Sequence, residues 1–453
     1  MSKNRLVWSN SSCCTKYTSK TYNLYIRTLT IKMKLSVLGA AKEVGRSAFL
    51  VTCDSTNILL DYGVLLKREP VFPLHVRPKD IQAVVLSHAH LDHSGYTPSL
   101  FLSSSSNVSV LGTPPTFELS QLLIEDMIKI SGLYLPFEYL DLVNMINHCV
   151  NLNFREKHHI NDVNITLHES GHVIGGASVI VEHNGKRIFY TGDINTRGSK
   201  LLRPADLDLP EIDLLIIEST YSQTDQMPRE ESERNLLDFA YEIVEQGGTL
   251  FIPAFSVERA QEIATVLKTH NFKYKVAMDG MALKVNEIML KYTSYLRDPE
   301  IFRKAVSEAE WVRGWHRRKK LVKEAGVIIS PAGMLVGGSA VFYMQEIAHD
   351  PKNGIAIVSY QGEGTPGRTL MDKKIVTYDG KITKCLAKIR QFEFSGHNSR
   401  RELFEILDRI KGNPQVLTVH GDGNSCIKFA EEIKEKYGFD AKAPSQADVI
   451  ELV

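Results

Sequence analysis

From residue 34 onward the chain alternates short apolar runs with polar or glycine-containing segments. The run at 34–38 alternates with period two, Ile58-Leu-Leu60 and Ala83-Val-Val-Leu86 are unbroken, and the runs at 177–182 and 186–191 flank Asn184-Gly185, a two-residue hairpin signal. This part predicts strands, some of them antiparallel. Between about 212 and 390 the rhythm changes. Apolar strands at 213–217, 249–252, 275–278, 327–330 and 355–360 alternate with helices, the first placing Leu236, Leu237, Ala240, Ile243 and Val244 at helical spacing before Gly247-Gly248 ends it. Further helices are expected from Val257, through the 280s and after Gly338. Strand and helix in alternation predict a parallel sheet covered by helices, hence a second α/β unit. The tail returns to the first rhythm, with strands at 389–394 and 415–419. Between them Ser399-Arg-Arg-Glu402 reads as a capping box for a helix that buries Leu403, Ile406, Leu407 and Ile410.

A length of 453 residues favours at least two domains with ample core. No apolar run approaches the roughly 20 residues of a membrane span, so no membrane partner is expected. Six cysteines with no C-x-x-C pair argue against a disulfide scaffold or a thiolate zinc site, and a reducing cytoplasmic location is the default. The formal charge of +1 is uneven, since residues 1–33 hold six Lys or Arg and no acid. The remainder carries 48 basic against 53 acidic residues, so any grip on phosphate must come from a local cleft or metal ions. Residues 1–33, rich in Ser and Thr and without a sustained period, are expected to be a disordered leader, or to lie upstream of a start at Met33.

The chemistry gathers at the ends of strands. His88-x-His90-x-Asp92-His93 puts three imidazoles and a carboxylate within six residues, directly after an apolar strand. In an extended stretch His88 and His90 point the same way, while Asp92 and His93 lie past the turn and can face a second ion. The mixed nitrogen and oxygen set suits zinc better than magnesium. Two ions need further ligands, and His172, Asp193 and His420 stand at strand ends beside Gly171, Gly192 and Gly421.

Together with Asp61, these residues resemble the five motifs of the metallo-β-lactamase fold, over nearly all of residues 34–453. The resemblance implies one zinc on His88, His90 and His172, a second on Asp92, His93 and His420, Asp193 as the bridge, and Asp61 orienting the cluster. The gap of 227 residues from Asp193 to His420 resembles the insertion of the β-CASP ribonucleases. In that family's terms motif A matches Glu218 in Ile216-Ile-Glu-Ser-Thr-Tyr221, motif B His397 and motif C His420. Ile252-Pro-Ala-Phe-Ser-Val-Glu-Arg259, Ser330-Pro-Ala-Gly-Met334 and the glycine-rich stretch from Tyr360 to Arg368 support it. The compact layout and Val44-Gly-Arg-Ser47 are similar to the archaeal relatives of the cleavage and polyadenylation endonuclease. The implied fold is α/β: a metallo-β-lactamase αββα sandwich from residues 34–211 and 391–453, with an inserted β-CASP parallel α/β domain over 212–390.

Departures touch no metal ligand. Ser222 and Glu258 stand where Gly is usual, Gln226 where His is common, Ser399 for an Asp, and Asp422 for a Glu. Three weaker signals favour bland readings. The basic run Arg313, Arg317, Arg318, Lys319, Lys320 and Lys323 reads as a solvated helix face before it reads as an RNA contact. Trp311 and Trp315, at i and i+4, read as packing, and His158-His159 as a loop pair without catalytic role.

The expected activity is zinc-dependent hydrolysis of RNA phosphodiesters by internal cleavage, in RNA 3′-end processing or turnover, with two Zn²⁺ per chain. Asp92, Glu218 and His397 are the catalytic candidates, and His397, paired with Glu218, would donate to the departing 3′ oxygen. Besides RNA, a homodimer and other RNA-processing factors are candidate partners. The rivals are a 5′–3′ exoribonuclease of the same family, a non-catalytic scaffold, which would be expected to lose ligands this chain keeps, and a small-molecule hydrolase, which the long gap disfavours.

Overall fold

A computed structural model describes residues 33–67, 69–103, 106–378 and 381–452; the expectation for the basic leader lies outside them, apart from Met33, which opens the first strand. Two seven-stranded sheets stack face to face among the described residues. In the first, Met33–Val37 pairs antiparallel with Phe49–Cys53 on one side and with the last strand, Val449–Leu452, on the other. Strands from opposite ends of the described chain thus meet in one sheet. The second is ordered Ala441–Lys442, Gln415–Val419, Leu214–Glu218, Lys186–Tyr190, Ala177–His183, Val163–Glu169 and Lys157–Ile160. Its central hairpin turns at Asn184-Gly185 with His183 opposite Lys186, as the turn signal predicts.

Apolar residues from both inner faces fill the space between the sheets. Leu35, Phe49, Val51 and Ile58 come from the first, and Ile165, Leu167, Val179, Ile188 and Leu417 from the second. Helices cover the outer faces. Pro114–Ser131 and Tyr139–Asn147 pack on the first sheet through Phe117, Ile124, Met127, Leu142 and Met145. Arg400–Leu407 and Gly423–Tyr437 pack on the second through Leu403, Ile406, Phe429 and Ile433. The first of these begins at the expected capping box, where Ser399 N donates to Glu402 Oε2 at 3.0 Å.

The inserted sheet is parallel throughout, ordered Glu310–Trp311, Val276–Met278, Gly326–Ser330, Thr249–Pro253, Gly354–Ile357 and Lys388–Gln391. Its central strands are apolar runs flanked by helices on both faces, the pattern of strands buried twice over. Two strands sit elsewhere than their rhythm suggests. Leu214–Glu218, expected to open the inserted unit, pairs parallel with Lys186–Tyr190 and with Gln415–Val419 in the sandwich. Lys388–Gln391, expected to resume the sandwich as 389–394, is the edge strand of the inserted sheet. A short apolar strand is chemically alike in either sheet, so periodicity alone does not assign it.

His158 and His159 lie in the edge strand Lys157–Ile160, not in a loop. Trp311 and Trp315 do not share a helix: Trp311 ends a two-residue strand and donates to Val306 O at 2.9 Å, while Trp315 starts the helix Trp315–Leu321 and packs on Phe342. In the basic run Arg317 is paired with Glu310 and Glu324, Arg318 with Asp279 and, at 3.8 Å on the surface, Arg313 with Glu287, so three of its charges face carboxylates. No helix among the described residues is long and apolar enough to cross a membrane.

Candidate metal centre at the join of the two domains

Strand Ala83–Val85 runs into Ser87 and His88, and the four-residue helix Leu91–Ser94 that follows carries Asp92 and His93, bringing the centre of the His93 ring to 4.1 Å from that of His88. His172, Asp193 and His420 arrive from loops at the same end of the second sheet. Gly171 is needed for this crowding: its φ is +70°, and a Cβ there would lie 2.3 Å from Asn195 O.

Two donor sets result. His88 Nε2 and His172 Nε2 each lie 3.2 Å from His90 Nδ1 and 3.5 Å from Asp193 Oδ2. Donors about 2.0–2.1 Å from a tetrahedral centre are separated by roughly 3.3–3.4 Å, so these spacings fit a zinc-sized cation. Ring nitrogens facing each other at that distance need a shared cation or a proton between them. Burial holds His88, His90 and His172 below the usual imidazole range, which leaves lone pairs available. The second set is Asp92, His93 and His420. His420 Nε2 is 3.2 Å from Asp92 Oδ2, and His93 Nε2 is 3.3 Å from Asp193 Oδ1. Asp193 therefore offers one oxygen to each set, and its buried Oδ1 makes no well-formed hydrogen bond although His93 Nε2 and His420 Nδ1 each lie 3.3 Å away. A buried carboxylate oxygen needs positive charge beside it, which a protonated imidazole or a metal ion supplies. The residues present fit two metal ions.

Asp61 lies beneath this cluster, fully buried. Its Oδ1 accepts from Ser87 N at 2.7 Å; its Oδ2 accepts from Ser87 Oγ, Tyr190 Oη and His93 Nδ1, each at 2.7 Å. The carboxylate thus fixes the His93 ring with Nε2 turned toward the second set. Burial opposes a charge on His93, but Asp193, Asp92 and Asp61 outweigh it and hold the ring protonated when no cation takes that place. Ser87 and Tyr190 are not legible as site residues in the sequence; a serine beside a histidine and a strand tyrosine carry no signal of their own.

Glu218, at the end of its strand, accepts from Ile194 N at 3.0 Å and faces His397, whose Nδ1 lies 3.1 and 3.0 Å from its two oxygens. A carboxylate only accepts, so Nδ1 is the donor. The other nitrogen, Nε2, points toward the cluster, 3.9 Å from Asp193 Oδ2. Burial would lower the His397 pKa, yet Glu218, then Asp193 and Asp92, carry it up to about 9. The adjacent Gly396 carbonyl accepts from His172 Nδ1 at 2.8 Å, so one loop orients both histidines. All ten residues marked by the sequence, Asp61, His88, His90, Asp92, His93, His172, Asp193, Glu218, His397 and His420, meet here. His158 and His159 do not.

Comparison with known proteins follows the same division. Residues 50–214 match the family described as a metallo-beta-lactamase superfamily domain, 260–370 the Beta-Casp domain, and 384–444 a Zn-dependent metallo-hydrolase RNA specificity domain. The chain is 36% identical to RNase aCSPSF2 of Saccharolobus solfataricus, over 92% of this chain and 85% of that protein. It is 34% identical to the probable RNase MJ4 of Methanocaldococcus jannaschii, over 93% of this chain and all of that one. With the transcription termination factor FttA of Thermococcus kodakarensis it shares 34% identity, over 93% of this chain and 71% of the factor. The crystal structure of a protein of unknown function from Enterococcus faecalis superimposes with a TM-score of 0.61 at 14% identity, covering 93% of this chain and all of that one, a likeness of fold alone. The chain belongs to the β-CASP family of the metallo-β-lactamase superfamily, with the archaeal relatives of the cleavage and polyadenylation endonuclease.

Proposed function

We propose that this chain is a zinc-dependent endoribonuclease acting in RNA processing or turnover. The observation that carries this reading is the pair of donor sets sharing Asp193, with His397 held against Glu218 beside them at the join of the two domains. The match to an RNA specificity domain and the ribonuclease names of two relatives support RNA as substrate. In this reading the sandwich is built from residues 34–211 and 391–453, extended to take in the strand to Glu218, and RNA crosses the cleft between it and the insertion.

His88, His90 and His172 would hold one zinc, Asp92, His93 and His420 the other, and Asp193 both. Two zinc ions there would supply Lewis-acid stabilisation of phosphoryl charge and activation of the attacking water. The chain's own groups do the rest. Asp92 and Asp193 gather positive charge at the point where a phosphate must settle. Water oxygen, having released one proton to solvent, bonds to phosphorus as the bond to the 3′ oxygen breaks, leaving a 5′-phosphate and a 3′-hydroxyl. His397 Nε2–H gives its proton to the departing oxygen, and Glu218 keeps the ring charged and turned toward it. Glu218 alone serves this purpose once Asp193 and Asp92 are engaged by cations.

Incubating the protein with one RNA labelled at either end, and with a circular RNA that has no terminus, tests the assignment. Cleavage of the circle is expected. An intact circle beside a shortening 5′-labelled strand would mean 5′–3′ exonuclease action instead.

A further inference from the structure

Four charged side chains are buried together where the inserted domain meets the loop carrying His397. Arg229 is 8% exposed, Arg259 7%, Glu258 5% and Glu262 0%. Glu262 stands between the arginines: its Oε2 accepts from Arg259 Nε at 3.2 Å, while its Oε1 faces Arg229 Nη1 at 3.2 Å as an ion pair without a hydrogen bond. Arg259 is anchored in the insertion, donating from Nη1 to Val358 O at 2.7 Å. Arg229 faces the other way. Its Nη2 donates to Ser395 O at 2.6 Å, and its guanidinium stands 5.2 Å from the centre of the Phe394 ring. Ser395 Oγ in turn accepts from His397 N at 3.0 Å.

The neighbouring backbone is strained. Glu258 has φ +72° and ψ −58°, with Arg259 N donating to Val257 O at 3.0 Å, a γ-turn of the rare hand. Glycine would adopt it freely, yet a glutamate stands there and brings a carboxyl 3.5 Å from Arg259 Nη2. Burial and the charge of Glu262 push that carboxyl up to about 8.

We infer that Arg229 is a positioning residue for His397: facing the buried charge of Glu262, it donates to the Ser395 carbonyl and holds the loop so that the imidazole faces Asp193. The packing of the inserted domain is thereby coupled to protonation of the leaving group. This rests on His397 being the proton donor.

Removing Arg229 alone would leave Glu262 Oε1 buried without its cation, only Oε2 still being held by Arg259, so the test uses the paired Arg229→Gln/Glu262→Gln variant, Arg229→Lys, His397→Ala and the combination of the pair with His397→Ala. Folding and zinc content are checked by circular dichroism and metal analysis, and kcat and KM are measured on one RNA. The paired variant should lose about ten- to a hundredfold in kcat, the scale of a small misplacement of a reacting group, with KM and zinc within about twofold of the parent. Arg229→Lys, which keeps the charge, should recover part of the loss, and if the paired variant does not fold, a kcat drop in Arg229→Lys at unchanged KM carries the test. In the His397→Ala background the pair should cost nothing more, because the residue it positions is gone. Losses that multiply, or an unchanged kcat in both Arg229 variants, would overturn the inference. If His397→Ala alone cleaves like the parent, the proton-donor assignment fails, and the route through Arg229 falls with it.

Discussion

In the proposed mechanism Asp193 and His397 divide the chemistry between them. Asp193 gives an oxygen to each donor set, whereas His397 packs its ring against His172, 4.6 Å between centres, keeps its Nε2 3.9 Å from Asp193, and has its Nδ1 fixed by Glu218. His397→Ala should therefore keep its zinc and its RNA affinity within a few-fold but lose about 10²–10⁴ in cleavage rate, the usual worth of general acid catalysis. Zinc loss in that variant, seen by metal analysis, would reassign His397 to the metal shell. Glu218→Gln should show a smaller loss. A donor must be protonated to act, and the imidazolium there lacks its carboxylate partner, so activity should fall away at lower pH than in the parent, read from a pH–rate profile. Glu258 makes a separate prediction about stability. Its carboxyl is pushed from 4.5 to about 8 by burial and by Glu262, so the folded state holds a proton that the unfolded chain releases. That contribution is present in full below about 4.5 and is lost as pH rises toward about 8. Glu258→Gly should gain stability relative to the parent across this window, increasingly so as pH rises, in denaturant titrations at several pH values. A constant difference would mean the group does not titrate there.

Among elements, the helix Gly423–Tyr437 shows why one departure from the family pattern is harmless. Asp422 caps it, its Oδ1 accepting from Asn424 N at 3.1 Å and Ser425 N at 3.0 Å, a role aspartate performs well. Asp422→Ala should cost about 0.5–2 kcal/mol in a denaturation experiment while His420, two residues earlier, keeps its metal. Much of this level is legible in the sequence. The hairpin at Asn184-Gly185, the capping box at Ser399 and the strand-to-loop delivery of His88, Asp193 and His420 all rest on local signals that need no tertiary context. Sheet membership is not. Leu214–Glu218 and Lys388–Gln391 each lie in the other sheet from the one their rhythm suggests, because pairing partners are decided by distant segments. The same reason hides the partners of Asp61 and the grip of Arg229 on Ser395, which joins residues 166 positions apart.

At the scale of the molecule, the centre lies where two cores meet. Ala89, Leu119, Val173 and Leu202 of the sandwich pack against Val257, Val285, Met289 and Phe302 of the insertion, so the two parts are joined by a packed hydrophobic contact. The centre also binds together segments far apart in sequence, from His88 to His420. Metal binding should then stabilise the whole fold, since a ligand of the native state alone raises its unfolding free energy. Stripping the ions with a chelator should lower the thermal midpoint as well as abolish cleavage.

The direct test is a titration of the stripped protein with zinc, following cleavage of a labelled RNA. Cleavage should be absent at the start, rise with added metal, saturate at about two equivalents per chain, and stay absent throughout in His90→Ala. Parent-level cleavage by the stripped protein in chelator, or no recovery on adding zinc, would contradict a metal-dependent ribonuclease.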